Sequence, residues 1–454
     1  MNPVLEDGAR VAVLGGGPGG SLFAYFLLTF AERLDLRVSV DIYEPRDFTK
    51  PGPAACNMCG GIVSERLVQA LAVEGIDLPP TVVQRGIDSY VLHTEERSVR
   101  IDTPLHEKRI AALHRGGGPR DVEEVKWGGL DGHLQGLAQK MGAQVLPVRV
   151  GDVGWDDGRP QVIGKDDAQT YDLLVGATGV NSGAWDLYEK LGLQSRPVTT
   201  KAYITEINVG REAITEHFGS SMHIYFLNLP RLDCAAIIPK GEYVTVCLLG
   251  DDIDRDLISS FFASEPVKRT FRDLPAPSEG ACHCSPKINL REATTPFIDR
   301  IVLVGDCGVT RLYKDGIGAA YRTAKAAART AVFSGVSAAH FKKHYWSTYR
   351  AIADDNRYGR ISFGVVHWIK ALRPLVRGVV KMTAREQEQP GAARRMSIVL
   401  WDMFTGSAPY RDTFFRTLDP RFFGRLIWDS ALAIGGNGRT QAEEERGYDA
   451  GTAG

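Results

Sequence analysis

Val11-Ala12-Val13-Leu14-Gly15-Gly16-Gly17-Pro18-Gly19-Gly20-Ser21 stands near the amino terminus and is answered by Glu44 at the end of a second apolar run, Arg37-Val38-Ser39-Val40-Asp41-Ile42-Tyr43-Glu44. The first run reads as a buried strand, Arg10 to Leu14, that turns sharply into a helix whose first backbone N–H groups are left to meet an anion. Gly15 supplies the turn, Gly17 lets a phosphate approach the backbone, Gly19 lies within the same loop, and Gly20 lets the helix lie close on the strand. Pro18 suits a first helical turn, where its missing N–H is no loss. The second run reads as the next parallel strand, with Glu44 placed to accept from the hydroxyls of a ribose without a 2′-phosphate. This spacing predicts a dinucleotide-binding unit. The same glycines also suit a loop packed on a sheet for structural reasons alone.

Two later segments read as parts of the same site. Arg300-Ile301-Val302-Leu303-Val304-Gly305-Asp306-Cys307-Gly308 is a buried strand ending in Gly-Asp, and Lys314-Asp315-Gly316-Ile317-Gly318-Ala319-Ala320 opens an alanine-rich helix running from Ala319 to Val332. Tyr171 to Ser182 is a third buried strand, running into Ala177-Thr178-Gly179. The three segments are expected to converge on one cofactor.

Composition frames that site. The 454 residues are 44% hydrophobic and 24% charged, enough for two or three domains with substantial cores. A formal net charge of −1 gives no general attraction for nucleic acid, and no uninterrupted apolar run suggests a membrane span. Seven cysteines in a large chain point to a reducing compartment, and the first strand starts too early for a signal peptide. The reading is cytoplasmic, with association at the inner face of the membrane left open by the carboxy-terminal segment.

The order of these motifs resembles the FAD-dependent oxidoreductases built like para-hydroxybenzoate hydroxylase. Within that superfamily the chain is similar to the geranylgeranyl reductase branch, through Cys59-Gly60-Gly61 followed by Ser64, Asp131 and Leu134 before Gly142-Ala143, and Ile238-Pro239-Lys240-Gly241 before the strand Tyr243 to Leu249. The resemblance spans Arg10 to Val332. It implies that Gly15, Gly17, Gly19, Gly20 and Glu44 hold the ADP half of FAD, and that Gly305 and Asp306 hold the ribityl or pyrophosphate region. It also implies that Gly316, Ile317 and Gly318 lie beside the isoalloxazine, with Cys59 near the flavin as proton donor or substrate-positioning thiol. The chain departs from the pattern in three places. Thr178-Gly179 stands where the hydroxylases carry Asp-Gly, which weighs against NADPH- and oxygen-dependent hydroxylation. Cys234-Ala235-Ala236-Ile237-Ile238-Pro239 replaces the aromatic stretch that lines the isoprenoid cavity in the reductases. The Trp-x-Trp-x-x-Ile-Pro stretch of flavin halogenases is absent.

Gly86 to Ile101 and Val198 to Leu249 alternate apolar and polar residues as antiparallel strands do, and read as a substrate-binding sheet. The loop Arg115-Gly116-Gly117-Gly118-Pro119-Arg120 has two readings, a backbone clamp with Arg115 or Arg120 on a flavin phosphate, or a solvated surface turn. Cys56-Asn57-Met58-Cys59 and Cys282-His283-Cys284 form two close pairs. Cys56, Cys59, Cys282 and Cys284 can be read as ligands of an iron–sulfur cluster or zinc, as redox-active thiols, or as small buried residues with one flavin-proximal thiol. Cys307 reads as packing. His114, His133 and His223 look isolated, and no Ser-His-Asp set or H-E-x-x-H helix offers a hydrolytic site.

From Phe341 onward the pattern turns helical. Phe363, Val366, Ile369 or Trp368, Leu372, Val376 and Val379 form a stripe flanked by Lys370, Arg373, Arg377 and Lys381, read as one basic amphipathic helix kinked at Pro374. A second piece runs from Phe414 to Trp428 with Arg416, Arg421 and Arg425 interleaved. Between Asp355 and Ile434 there are 13 Lys and Arg against 7 Asp and Glu, a pattern that fits a membrane interface or a subdomain packed on the enzyme.

The expected fold is α/β: a Rossmann-like FAD-binding domain (1–80, 105–190 and 290–340), an inserted antiparallel substrate domain (81–104 and 191–289), a helical region (341–434) and a disordered tail (435–454). The expected activity is hydride transfer from reduced FAD to a carbon–carbon double bond of a hydrophobic, isoprenoid- or lipid-like substrate, with NAD(P)H a candidate electron donor. A monooxygenase and an electron-transfer flavoprotein feeding a quinone through a cysteine-ligated cluster are the alternatives.

Overall fold

The computed structural model of the chain describes residues 3–52, 55, 59–103, 108–122, 127–165, 167–275, 281–389 and 393–435. Cys56 and nearly all of the 435–454 tail lie outside them. The chain divides into two compact units, one of residues 1–58, 114–200 and 286–357, the other of 59–113, 201–285 and 358–454.

The first unit is built on a six-stranded sheet, in the order Phe297–Ile298, Ile301–Leu303, Leu173–Gly176, Ala9–Leu14, Val38–Tyr43 and Gln144–Leu146. Every pair is parallel except the first, which is antiparallel. Val11, Ala12 and Val13 are completely buried, as a parallel strand covered on both faces requires. The helix Pro18–Glu32 follows the first strand and packs on the helix Gly316–Phe333, with the Phe26 ring edge-on to Tyr321 at 5.7 Å. That second helix starts at Gly316 rather than Ala319, so its two glycines belong to its first turn. A three-stranded meander, Asp152–Asp156, Arg159–Ile163 and Ala168–Thr170, turns first through Asp157 and Gly158, both at positive φ (46° and 72°). Asp-Gly is the pair that such a two-residue hairpin favours.

The second unit holds a seven-stranded sheet in the order Cys282–Cys284, Tyr203–Asn208, Tyr243–Gly250, Leu232–Lys240, Ser221–Tyr225, Ser89–His93 and Ser98–Asp102. It is antiparallel except where Ser221–Tyr225 runs parallel to Ser89–His93. One face buries Tyr225, Ile237, Val246 and Leu248 with Phe261 of the helix Arg255–Ala263, whose start is capped by the Asp254 side chain accepting from Leu257 N–H. Residues 59–80 and 108–113 group with this unit because Ile62–Val63 pairs with Ile110–Leu113, which also pairs with Val83–Ile87.

Helices Trp346–Ala371, Arg373–Glu388, Arg395–Thr405, Tyr410–Thr417 and Pro420–Gly435 complete the described chain. Pro374 does not kink one helix as expected. It sits in the first turn of Arg373–Glu388, after Leu372 in an extended conformation, because the residues ahead of a proline favour the extended region and the first turn needs no proline N–H. The piece from Phe414 to Trp428 is likewise two helices, separated near Asp419, whose carboxylate accepts from Arg421 N–H at 2.8 Å. Among the described residues no helix is long and apolar enough to cross a membrane.

Candidate functional site

Each glycine of the first loop has its own steric reason. A Cβ on Gly15, whose φ is +104°, would stand 2.6 Å from Ala177 O, and one on Gly20 only 1.9 Å from Gly15 O. Both glycines are therefore required by the chain itself. Gly17 differs: a Cβ there meets nothing nearer than Arg115 Nη2 at 3.7 Å, and Gly17 is the partly open residue of an otherwise buried loop. It is also the N-cap of Pro18–Glu32, where no side chain caps the free N–H groups and no acid stands in the first turn. Such a helix start attracts an anion.

Glu44 is only 2% exposed. Its carboxylate accepts from Gly16 N–H (2.9 Å), Arg46 N–H (3.0 Å) and Arg46 Nε (3.1 Å). Arg46 Nη2 adds a fourth bond at 3.5 Å, so the acid pins the glycine loop to the end of the second strand with each of its lone-pair positions engaged within the chain. Removing a charged acceptor of this kind costs about 1.5–3 kcal/mol per bond. Glu44→Ala is expected to weaken FAD binding at least about tenfold, with Glu44→Gln closer to wild type because it still accepts from Gly16. Flavin fluorescence titration of the three proteins checks this.

Arg115 reaches toward the same loop. Its Nε pairs with Asp131 Oδ1 and its Nη2 donates to Asp131 Oδ2 at 2.8 Å, the acid being wholly buried. The loop it opens is not a solvated turn. Gly116 to Pro119 are buried, Gly52 N–H donates to Gly118 O, and a Cβ on Gly117 would strike Lys50 O at 2.4 Å. Arg120, in contrast, is exposed.

Asp306 is accessible to solvent, yet the protein crowded around it raises its carboxyl above the ordinary value, with Arg115 pulling the other way. A Cβ on Gly316 would stand 3.6 Å from Asp306 Oδ1 and 3.3 Å from Thr310 Oγ1, and one on Gly305 would stand 3.9 Å from Gly19 Cα. The structure therefore brings residues 15–20, Arg115, Gly305, Asp306 and the start of Gly316–Phe333 together.

The lead-in to that helix is strained. Tyr313 and Asp315 both have positive φ, 60° and 53°, a conformation unusual for residues with side chains. Asp315 is locked by ion pairs to Arg311 Nη1 (3.2 Å) and Arg322 Nη1 (3.1 Å), and Arg311 also meets Asp355. Asn356 holds the same segment by accepting from Leu312 N–H and donating to Thr310 O. A Cβ on Gly318 would lie 2.0 Å from Asp315 Oδ1, so this glycine makes room for the lock. None of these partners was evident from spacing, although an acid directly before a Gly-x-Gly helix start is itself a capping signal.

The donor set suits an FAD. The loop offers an uncapped helix start, Asp306 offers an acceptor for hydroxyls, and the Gly316 helix offers a second start. Gln135 Nε2, buried without a partner, stands 2.6 Å from where a Gly16 Cβ would be, an orphan donor at the loop.

Cys59 belongs to the second unit. Gly61 N–H donates to its Sγ at 3.1 Å, and a Cβ on Gly60 would lie 3.5 Å from Cys247 Sγ. Strand register puts Cys284, Ile204 and Cys247 in one row, with Cys282, Glu206 and Thr245 in another of the same face. Glu206 pairs with Lys240 Nζ at 3.4 Å, both nearly fully buried, and accepts from Thr245 Oγ1 at 2.8 Å. Among the described residues no three His, Cys, Asp or Glu side chains are grouped as metal ligands. Burial pushes the thiol of Cys284 up to about 12 and that of Cys247 higher still. Cys234 and Cys307 are also pushed up to about 12, and Cys307 Sγ donates to Gly176 O at 2.8 Å, a packing role.

A thiol with such a value is thiolate in only on the order of one molecule in 10,000 near pH 8. Brief iodoacetamide treatment of the native protein should therefore label half-buried Cys59 ahead of Cys234, Cys247, Cys284 and Cys307. Peptide mass spectrometry reads the order, and Cys284 labelling as fast as Cys59 would contradict it.

The histidines are less isolated than their spacing suggests. His223 Nδ1 and His93 Nε2 share a hydrogen bond of 3.0 Å, and burial holds both well below the usual imidazole value, His223 at about 3. They are neutral core residues. His114 stacks on Trp127 at 5.2 Å.

No family model and no curated protein sequence matches the chain. Solved structures match it in fold. A flavoprotein/dehydrogenase from Cytophaga hutchinsonii superposes with a TM-score of 0.61 at 13% identity, over 94% of this chain and 100% of that one. A point mutant of the halogenase PltM, in complex with FAD, gives 0.58 at 13% identity over 94% and 97%. PqsL of P. aeruginosa with 2-aminobenzoylacetate gives 0.54 at 14% identity over 78% and 95%. The α/β fold with its added sheets and helices is the one these proteins share.

Proposed function

We propose that this chain is an FAD-dependent oxidoreductase that reduces a carbon–carbon double bond in a hydrophobic, isoprenoid- or lipid-like substrate, in the manner of geranylgeranyl reductases. The observation that supports the cofactor is the meeting of the glycine loop, Arg115, Asp306 and the Gly316 helix start in one place. Bound FAD would supply the hydride. The N–H groups of Gly17, Gly19 and Gly20, with the Arg115 guanidinium, would hold the pyrophosphate. Asp306 would accept from ribityl hydroxyls, and the start of Gly316–Phe333 would favour negative charge on the reduced ring.

Saturating a double bond also requires a proton. We assign its delivery to the Cys59 thiol, which the Gly61 N–H orients through its sulfur lone pair. Cys247 and Cys284, held protonated by burial, and the paired Lys240 and Glu206 keep the surrounding face free of uncompensated charge. The fold shared with a 2-methyl-3-hydroxypyridine-5-carboxylic acid oxygenase supports a second reading, a monooxygenase, while Thr178 in place of an acid weighs against it. Anaerobic turnover separates the two. Flavin-loaded protein reduced with dithionite should be reoxidised by an isoprenoid alkene without oxygen, giving the saturated product. Reoxidation that needs oxygen, with NAD(P)H-dependent oxygen uptake raised by substrate, would replace the reductase by the monooxygenase.

A further inference from the structure

The helices after residue 358, together with Leu92, Thr94 and Phe226, line an apolar cavity of about 120 Å³, with Ile369, Leu400 and Phe422 among its walls. An apolar cavity of about this size accommodates a benzene-sized hydrocarbon. Two other wall residues, Val365 and Phe423, are themselves 50% and 47% exposed, so the cavity borders the surface at their edge. From that edge two apolar stripes extend outward. Ile361, Val365 and Trp368 are exposed at spacings of one helical turn along Trp346–Ala371, with Leu372 exposed just past its end, and Phe423, Ile427, Trp428 and Leu432 are exposed on Pro420–Gly435. Scattered exposed apolar residues need no explanation, but contiguous rows that each include a tryptophan do.

The surrounding charge is mostly basic. Of the seven acids between Asp355 and Ile434, Asp355, Glu386, Asp402 and Asp429 are buried and Glu388, Asp412 and Asp419 are not, against 13 Lys and Arg; Arg360, Arg373 and Arg421 are exposed next to the stripes, Arg373 with Glu96 3.7 Å away. A second copy pairing through the same patch would bring two sets of these arginines into one interface, where like net charge meets like. An anionic leaflet complements them, with tryptophan at the headgroup level and arginine reaching phosphate.

We propose that this face docks on an anionic lipid bilayer and that the cavity receives the end of one hydrocarbon chain from it. The docking does not depend on the flavin reading. Full-length protein is sedimented with vesicles of phosphatidylcholine alone or mixed with phosphatidylglycerol, and Trp fluorescence is followed with brominated acyl chains. The wild type should pellet with the anionic vesicles, release as salt rises, and be quenched by bromine. Ile427→Ser/Trp428→Ser, at positions 63% and 60% exposed and therefore outside the core, should bind at least about tenfold more weakly. Arg421→Glu should weaken binding about fivefold and flatten the salt dependence, and Trp368→Phe/Trp428→Phe should keep binding but lose the quenching. Wild type that stays in the supernatant, binds both vesicle types equally, or keeps its affinity in the serine variant overturns the proposal. So does a dimer by light scattering that the serine variant dissociates, with no vesicle binding in either form.

Discussion

Gly20→Ala is expected to leave no folded, flavin-binding protein, while Gly17→Ala, three residues earlier in the same loop, is expected to fold and lose flavin. The difference follows from what each new methyl would meet. At Gly20 it would stand 1.9 Å from Gly15 O and 2.9 Å from Val13 Cγ1, backbone and core atoms that cannot give way. The strand, turn and helix would have to separate, a cost above about 4 kcal/mol that places the change among the most disruptive single substitutions. At Gly17 the methyl has space in the protein alone, and the loss of a glycine N-cap costs about 1 kcal/mol or less. The space it takes is the space a phosphate would need, so affinity rather than stability should fall. Denaturation midpoints and flavin titration on the two variants read the contrast.

Arg115→Met is expected to carry the second-largest effect. Asp131 is fully buried and its two oxygens meet the Arg115 fork, so the change strands a carboxylate in the interior. Breaking one side of such a pair costs about 3–5 kcal/mol, while removing both charges is often nearly neutral. Arg115→Met/Asp131→Leu should accordingly regain most of the lost stability. It should not regain flavin affinity, because the guanidinium beside Gly17 is then gone. Recovery of both in the double variant would make Arg115 a purely structural residue.

The part of the site that was legible in the sequence is the part set by local backbone geometry. Gly15 is needed for a positive-φ turn and Gly20 for the closeness of that turn to the helix, and alternating or continuous apolar runs mark their strands wherever they pair. What stayed hidden depends on register and on approach across long stretches of chain. Lys240 and Glu206 meet only because their strands flank Tyr243–Gly250 in one alignment. Glu44 was read as a ribose ligand, and its bonds to Gly16 and Arg46 appear only once the loop is folded over it. The resemblance puts Gly318 beside the isoalloxazine, but it gives no hint that Asp315 Oδ1 is the atom that excludes a side chain there. Pro374 misled for a related reason, since a proline's effect depends on whether it falls inside a helix or in its first turn.

The central claim is that residues 15–20, Arg115, Asp306 and 316–318 form one cradle for FAD. Incubating the purified full-length chain with FAD, removing the excess by gel filtration and recording the visible spectrum tests it most directly. The predicted result is a yellow protein carrying one flavin per chain, with FMN or riboflavin displaced by added FAD. A protein whose circular dichroism shows it folded, yet which leaves the column colourless, would contradict the claim.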